Sequence, residues 1–211
     1  MTNKSSALNG LYGITDATLL PDTVHLTSAV EAALKGGMHI LQYRDKQRSF
    51  SDQVEQALAL KDLCDAYDAL LIINDSVLLA KEINAHGVHI GRDDGALNIA
   101  RDHLGPEAII GCSCYNSIEL AQQAQKKGAD YVAFGRFFSS HTKPETKAAD
   151  IDIIHQARSE LSVPVCAIGG ITTQNAPRLI TQGVDMIAVI NDLFAAQDVE
   201  QKARQFSALF D

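Results

Sequence analysis

One stretch of the sequence joins the end of a buried strand to a group of polar side chains, and the fold prediction starts from it. It reads Ala133-Phe134-Gly135-Arg136-Phe137-Phe138-Ser139-Ser140-His141-Thr142-Lys143. The apolar run from Tyr131 to Phe134 breaks at Gly135, and three hydroxyls and a lysine follow within five residues. Hydroxyls, backbone N–H groups and a lysine can together hold phosphate oxygens. Taken alone, the stretch fits a solvated surface loop better than a phosphate site, so the residues that follow the other strands decide its interpretation.

The same pattern, an apolar run followed by polar residues, recurs along the chain and alternates with helical periodicity. The predicted strands are Leu11–Thr15, His39–Tyr43, Leu70–Asn74, Gly87–Ile90, Ile109–Cys112, Tyr131–Phe134, Val165–Ile168 and Met186–Ile190. The predicted helices are Val24–Lys35, Phe50–Tyr67, Val77–Ile83, Ala96–Leu104, Ser117–Lys127, Ile151–Glu160, Gln174–Thr181 and Leu193–Phe210. Eight such units predict an α/β protein with a single-domain (β/α)8 TIM barrel. A doubly wound open sheet is the alternative, but no Gly-x-Gly-x-x-Gly follows the first strand, as a dinucleotide fold would require.

Composition and charge narrow the class of protein further. The chain has 211 residues, 46% of them hydrophobic, which is enough for a sizeable core. Its net charge of −8 argues against nucleic-acid and anionic-membrane partners. Residues 1–10 lack the apolar core of a signal peptide, so we predict a flexible segment there, a catalytic barrel over 11–211 and a cytoplasmic location. Buried, reduced thiols are predicted for all four cysteines, Cys64, Cys112, Cys114 and Cys166.

Polar residues follow the second to the eighth predicted strand at their carboxyl ends, where barrels of this kind build their active sites. They are Gln42, Arg44 and Lys46; Asn74 and Asp75; Arg92, Asp93 and Asp94; Ser113 and Tyr115; the loop with Lys143; Gly169 and Gly170; and Asn191 and Asp192. Such a rim of cations, carboxylates, amides, hydroxyls and glycines suits a phosphorylated substrate with a hard divalent metal.

Individual residues at this rim have competing explanations. Asp75 and Asp94 offer carboxylate oxygens for Mg²⁺, but either could instead be a helix N-cap. Glycines at 169 and 170 would let backbone N–H groups approach a phosphate. His89 on a strand and His141 in the phosphate loop are further candidates for lining the site.

These residues, in this order, resemble the thiamine-phosphate synthase family over nearly the whole chain. The matching segments are Leu11-Tyr12-x-Ile14-Thr15-Asp16, Gln42-Tyr43-Arg44-Asp45-Lys46, Asn74-Asp75, Gly87-Val88-His89-Ile90-Gly91-x-Asp93-Asp94, Gly111-x-Ser113, Gly128-Ala129-Asp130-Tyr131, Thr142-Lys143 and Ala167-Ile168-Gly169-Gly170-Ile171. The family is a (β/α)8 barrel that joins a hydroxymethylpyrimidine diphosphate to a hydroxyethylthiazole phosphate and releases diphosphate.

The resemblance also implies roles for single residues. The pyrimidine diphosphate would be held by Gln42, Arg44, Lys46, Asn74, Ser113 and Lys143, with Tyr43, Asp45 and His141 as further substrate-binding residues. The catalytic group would be Arg44, Lys46, Ser113 and Lys143, and Asp75 and Asp94 would bind Mg²⁺. Ser140 and Thr142 would contact the thiazole substrate, and Gly170, Ile190 and Asn191 would receive its phosphate. The partners would then be small molecules, and a homo-oligomer is left open.

The sequence departs from the family pattern at several of these positions. Ser76 stands where the family usually has Arg, Arg92 where it has Gln, Tyr115 where it has His, Ser139-Ser140 where it has Pro-Thr, and Asn191 where it has Ser. Loss of the arginine would weaken the anion site unless Arg92 or Arg136 compensates. Two alternatives follow: a thiazole tautomerase-like isomerase of the same fold, or a non-catalytic barrel that binds thiamine precursors.

Overall fold

Eight parallel strands close into a barrel in which each strand pairs with its neighbour in sequence and the last pairs with the first. The computed structural model describes residues 4–91, 94–139 and 149–210. The strands are β1 Gly10–Ile14, β2 Ile40–Tyr43, β3 Leu70–Asn74, β4 Gly87–Ile90, β5 Ile109–Tyr115, β6 Tyr131–Gly135, β7 Val165–Ile168 and β8 Met186–Val189. The predicted (β/α)8 barrel and its eight strands are therefore confirmed, with shifts of a few residues at the ends.

Helices follow the strands and surround the barrel. Those that the described residues form are α1 Lys4–Ala7, α2 Thr23–Lys35, α3 Phe50–Ala66, α4 Val77–Glu82, α5 Asp94–Leu104, α6 Ile118–Lys126, α7 Asp152–Glu160, α8 Ala176–Ile180, α9 Asn191–Phe194 and α10 Val199–Ser207. In this part of the chain no helix has the length and apolarity needed to cross a membrane.

The prediction of one helix over Leu193–Phe210 is wrong, because the chain breaks between α9 and α10. Asp198 adopts an extended conformation and its carboxylate accepts a hydrogen bond from the backbone N–H of Gln201 at 2.9 Å. A carboxylate in that position caps the first turn of a helix, so Asp198 starts α10 rather than continuing α9.

Two apolar clusters occupy the two sides of the sheet. The larger one lies between the strands and the helices, and the smaller one fills the barrel interior with alternate residues of the strands. The interior cluster contains Leu8, Tyr12, Ile14, Ile40, Ile72, Ile109, Tyr131, Ala133, Cys166, Met186 and Ala188. All four cysteines are free, as predicted, but the prediction that all are buried is wrong for Cys112, which is only partly buried.

The amino-terminal end of the barrel is covered by residues from the segment predicted to be flexible. Leu8 is buried in the interior cluster. The Lys4 ammonium donates to the carbonyl of Ala108 at 3.1 Å and lies 3.4 Å from Asp130 Oδ1. Residues 4–10 thus contact the barrel, and the division of the chain at residue 11 stays a prediction.

Side chains at this same end pair with backbone N–H groups at or near the start of the preceding strand. Asp130 accepts from Ile110 N–H at 2.8 Å, and Asp185 accepts from Val165 N–H at 2.7 Å. The Nδ1 atom of His86 accepts from Leu71 N–H at 2.9 Å. These acceptors replace strand partners for N–H groups that would otherwise be buried unpaired.

Candidate active site

A cavity of about 240 Å³ opens from the barrel interior toward the carboxyl ends of the strands. It brings together five of the residues predicted for the site: Gln42, Arg44, Asn74, Ser113 and Ile190. Arg136 and Tyr115 also line it, so one position that departs from the family pattern and one candidate compensating arginine face the same space. These five residues lie around one cavity; that they form the substrate site, and the role of each, stay predictions.

Asp75 has a backbone conformation that favours a functional role over a capping role. It lies directly after β3 with φ of 61°, a left-handed value that is uncommon for a residue with a side chain. Its N–H donates to the His89 carbonyl at 2.8 Å. The N-cap of α4 is the next residue, Ser76, whose hydroxyl accepts from Leu79 N–H at 3.2 Å. Helix capping therefore does not explain Asp75.

The carboxylate of Asp75 lies at the centre of a small polar group at the rim. Its Oδ2 accepts from Asn74 Nδ2 at 2.8 Å and lies 3.4 Å from Lys46 Nζ. Both charged side chains are more than half exposed, which leaves them accessible to a ligand. A separate cavity of about 280 Å³ is lined by Lys46, Asn74 and Asp75 together.

The chain leading to Asp94 passes beside Asp75. A Cβ atom on Gly91 would lie 3.6 Å from Asp75 Oδ1, and Asp94 is the first residue of α5 three positions later. The side chain of Asp94 lies outside the described residues, so its capping alternative stays open. Over the described ranges, no three His, Cys, Asp or Glu side chains gather as a metal site. One or two carboxylates beside cationic side chains fit a divalent ion that shares oxygen ligands with a phosphate group.

Tyr43 and Asp45 do not line the main cavity, but both line the cavity of about 280 Å³ beside Asp75. Tyr43 is buried among the helices, where its hydroxyl donates to Gln56 Oε1 at 2.8 Å. Asp45 accepts from the backbone N–H groups of Gln47 and Arg48 at 2.7 and 3.0 Å and pairs with the Arg48 guanidinium. Burial opposes ionisation of Asp45, but these hydrogen bonds outweigh it and lower its pKa. Both residues support the loop after β2, and their predicted contact with substrate is untested.

A third cavity, of about 470 Å³, lies between the loops that follow β7 and β8. Gly170, Ile190 and Asn191 line it, as the prediction of a phosphate pocket requires. Gly170 has φ of 65°, and a Cβ atom there would lie 2.3 Å from the Ser139 carbonyl oxygen, so only glycine fits. Lys202 from α10 also lines this cavity, with Nζ 3.4 Å from Asp192 Oδ2. The sequence analysis missed Lys202 because it lies on a helix, beyond the residues that directly follow a strand.

Five polar side chains inside the barrel form a continuous set of hydrogen bonds, which we call the interior network. Its members are Gln42, Tyr12, Tyr131, His89 and Ser113. The successive distances are 2.7 Å from Gln42 Nε2 to Tyr12 Oη, 2.8 Å between the two phenolic oxygens, 2.9 Å from Tyr131 Oη to His89 Nδ1 and 2.9 Å from His89 Nε2 to Ser113 Oγ. The network ends on residues that line the main cavity.

Burial controls the charge state of the interior network. It raises the pKa of both tyrosines above the ordinary value of 10, so both phenols keep their protons. It also lowers the pKa of His89 to about 4, against the opposing influence of the nearby Asp75 carboxylate. Gly111 provides the space for this arrangement, because a Cβ atom there would lie 2.0 Å from the ring of Tyr131. Tyr12 and Tyr131 belong to segments that carry the family resemblance, but the sequence analysis gave them no role.

The remaining predicted site residues lie outside the described part of the chain. They are Ser140, His141, Thr142 and Lys143, together with the departure at Arg92.

Tyr115, at the end of β5, has φ of 55° and is partly exposed beside the main cavity.

The fold and the site define a (β/α)8-barrel enzyme with its cavity at the carboxyl ends of the strands. The model of one protein family, thiamine monophosphate synthase, matches residues 11–193. The chain belongs to the thiamine monophosphate synthase family.

Individual relatives support this assignment. The chain is 49% identical to the thiamine-phosphate synthase of Alcanivorax borkumensis over 206 residues, which cover 96% of this chain and 94% of the relative. It is also 49% identical to the thiamine-phosphate synthase of Saccharophagus degradans over 194 residues, covering 92% and 89%. The solved thiamine phosphate pyrophosphorylase from Pyrococcus furiosus superposes with a TM-score of 0.88 at 34% identity, covering 98% of this chain and 97% of that one.

Proposed function

We propose that this protein joins a hydroxymethylpyrimidine diphosphate to a hydroxyethylthiazole phosphate, giving thiamine phosphate and diphosphate. The observation that carries the proposal is the convergence of Gln42, Arg44, Asn74 and Ser113 on one cavity, in a chain 49% identical to two thiamine-phosphate synthases. No comparison favours the isomerase alternative.

The bond that breaks joins the pyrimidine methylene carbon to the diphosphate oxygen, and its electron pair leaves with diphosphate. Positive charge near the leaving oxygens lowers the barrier because it is complementary to the charge that develops there. Arg44 and Lys46 supply that charge from the loop after β2, and Lys143 supplies it from the loop after β6. The aminopyrimidine ring stabilises the carbon cation, and the thiazole nitrogen then forms the new carbon–nitrogen bond. No protein nucleophile is required, so positioning and electrostatics provide the rate.

The donor groups at the rim fit Mg²⁺ as the metal. Asp75 and Asp94 would hold it beside Asn74 and Lys46, and the bound ion would neutralise charge on the diphosphate. Because Lys46 lies 3.4 Å from Asp75, the ammonium balances that carboxylate and stays close to the diphosphate site.

The cavity between the loops after β7 and β8 suits the phosphate of the thiazole substrate. Glycines at 169 and 170 let backbone approach the ligand, and Lys202 adds a cation at the same cavity. It lies next to the main cavity, since Gly169, Ile168 and Ile190 line both. Two adjoining cavities can hold two substrates side by side, as a condensation requires. The proposal includes the two small-molecule substrates as partners, no nucleic acid or membrane, and a cytoplasmic location.

Incubation of the purified protein with both substrates and Mg²⁺ tests this function. We expect equal amounts of diphosphate and thiamine phosphate to form, and neither when the thiazole phosphate is omitted. Conversion of a thiazole tautomer without diphosphate release would indicate the isomerase, and binding without turnover would indicate a non-catalytic barrel.

The role of Lys143 gives a sharper test. Lys143→Ala should lower turnover by about two to three orders of magnitude, because removal of one charge-stabilising donor costs roughly 3–4 kcal/mol in the barrier. Lys81→Ala, which removes a lysine on the surface helix α4, is the matched control and should leave turnover unchanged. Normal turnover in Lys143→Ala would exclude the assigned role.

A further inference from the structure

The interior network takes one proton direction when the Gln42 amide donates to Tyr12 and each hydroxyl donates once. The Gln42 Nε2 group carries only hydrogen-bond donors, so Tyr12 Oη accepts from it. The single phenolic proton of Tyr12 is then available to Tyr131 Oη, 2.8 Å away. Tyr131 uses its own proton toward His89 Nδ1 at 2.9 Å. Each hydroxyl therefore accepts from one neighbour and donates to the next.

The direction continues through the imidazole ring to Ser113. Because His89 Nδ1 accepts a hydrogen bond, the proton of the neutral ring is on Nε2. That N–H donates to Ser113 Oγ at 2.9 Å. Ser113 Oγ is thereby an acceptor toward the protein, and its own proton is left for the cavity that it lines.

We propose that Tyr12, Tyr131 and His89 are positioning residues that commit the Ser113 hydroxyl to donate a hydrogen bond into the cavity, to an anionic oxygen of the diphosphate substrate. The identity of that oxygen rests on the proposed function. The orientation of the Ser113 hydroxyl as a hydrogen-bond donor rests on the interior network alone. No proton is transferred in this arrangement, which acts only by fixing orientation.

A hydroxyl whose orientation is fixed as a hydrogen-bond donor favours the reaction because the leaving group is an anion. A hydroxyl that could rotate to present a lone pair would repel a phosphate oxygen, whereas one held as a donor stabilises it. If Gln42 presented its carbonyl to Tyr12 instead, every hydrogen bond would reverse and Ser113 would become an acceptor toward the ligand. The orientation of one amide and the role of a hydroxyl on β5 are thus linked across the barrel.

The tautomer of His89 tests the direction without any substrate. Protein labelled with ¹⁵N-histidine is studied by long-range ¹H–¹⁵N NMR at pH 7, and His89→Gln identifies the signal. We expect the proton on Nε2 and none on Nδ1. A proton on Nδ1 would mean that the network runs in the opposite direction and would overturn the proposal. Tyr131→Phe should give a mixture of tautomers, because Nδ1 loses its donor; an unchanged tautomer in that variant would also overturn the proposal.

Binding of inorganic diphosphate with Mg²⁺ tests the consequence at the cavity. Calorimetric titration should show about tenfold weaker binding for Ser113→Ala and for Tyr131→Phe, since a hydrogen bond to a charged group is typically worth at least that factor. The double variant should be no weaker than either single variant, because both changes remove the same donated hydrogen bond. Tyr67→Phe removes a tyrosine hydroxyl that bonds Glu31 outside the barrel, and it should bind like the wild type.

The outcomes separate the two proposals. Additive effects, or wild-type affinity in Tyr131→Phe, would show that the interior network does not act through Ser113. Failure of the wild type to bind diphosphate would instead contradict the proposed function, and the tautomer of His89 would still decide the direction of the network.

Discussion

Replacement of Asp130 tests the contribution of the acceptor side chains at the amino-terminal end of the barrel. Asp130 Oδ2 accepts from the buried backbone N–H of Ile110 at 2.8 Å and from Arg101 at 2.7 Å. Asp130→Ala removes both hydrogen bonds. Arg101 keeps other partners, among them the Ala108 carbonyl at 2.7 Å, but the N–H of Ile110 has lost its acceptor.

The expected loss can be divided among the backbone hydrogen bond and the two ion pairs of Asp130, with Arg101 and with Lys4. A buried N–H without a partner costs about 1–3 kcal/mol. Each ion pair adds about 0–1 kcal/mol, because the side chains are partly exposed. We therefore expect Asp130→Ala to lower the free energy of unfolding by about 3 kcal/mol. For a chain of this length that corresponds to a fall in Tm of roughly 6–12 °C.

Asp130→Asn is the matched control, because its carbonyl oxygen can still accept from Ile110 while the charge is lost. Urea and thermal unfolding followed by circular dichroism should show a loss of about 1 kcal/mol or less for Asn. The same comparison at Asp185, which accepts from Val165 N–H at 2.7 Å, should repeat the difference between Ala and Asn. Equal losses for Ala and Asn at both positions would refute the assignment of the energy to the backbone hydrogen bond.

Three further predictions concern acid stability, the metal and the anion site. Burial and, to a smaller extent, the charge of Lys61 lower the pKa of His86 below 6.5, so the stability that its neutral ring provides is complete above pH 6.5 and is lost as the pH falls below it. Between pH 7.5 and 5, urea unfolding should therefore show a smaller loss of stability in His86→Asn than in the wild type. Equal losses in the two proteins would contradict this. Mg²⁺ should bind weakly alone and tightly with diphosphate, and calorimetry should show weaker, non-additive coupling in Asp75→Asn and Asp94→Asn; equal Mg²⁺ affinity in all variants would exclude both as ligands. Arg136→Ala should weaken diphosphate binding and Ser76→Arg should partly restore it, whereas unchanged affinity in Arg136→Ala would show that this arginine does not compensate.

The parts of the fold that follow local rules could be predicted from the sequence. Strands buried on both faces read as short apolar runs, and eight of them at regular spacing indicate a closed barrel. The boundary within Leu193–Phe210 could not be predicted in this way, because helical periodicity continues past Asp198 while the capping geometry of that residue depends on its extended backbone.

The sequence could predict the site residues that lie at the ends of strands. It could not predict the contacts that form only because the barrel closes. Gln42, Arg44 and Asn74 converge because parallel strands end at one face of the barrel. The alternation along β2 could have shown that Tyr43 faces the helices, since Gln42 faces the interior. By contrast, the tyrosines of β1 and β6 look like ordinary core residues in sequence. Their hydroxyls meet only because closure of the barrel brings non-adjacent strands together across its interior.

The interior network also limits which molecules the main cavity can accept. The hydroxyls of Tyr12 and Tyr131 are paired with each other, and their rings meet edge to face with centroids 6.1 Å apart. Tyr12 lines the cavity, so a ligand that pushed a hydroxyl or amine down against this ring would bury that group without a partner, at a cost of about 1–3 kcal/mol. A methyl group in the same place would incur no such cost. We therefore expect the main cavity to bind an analogue less tightly when its inner edge is more polar, even when its size is correct.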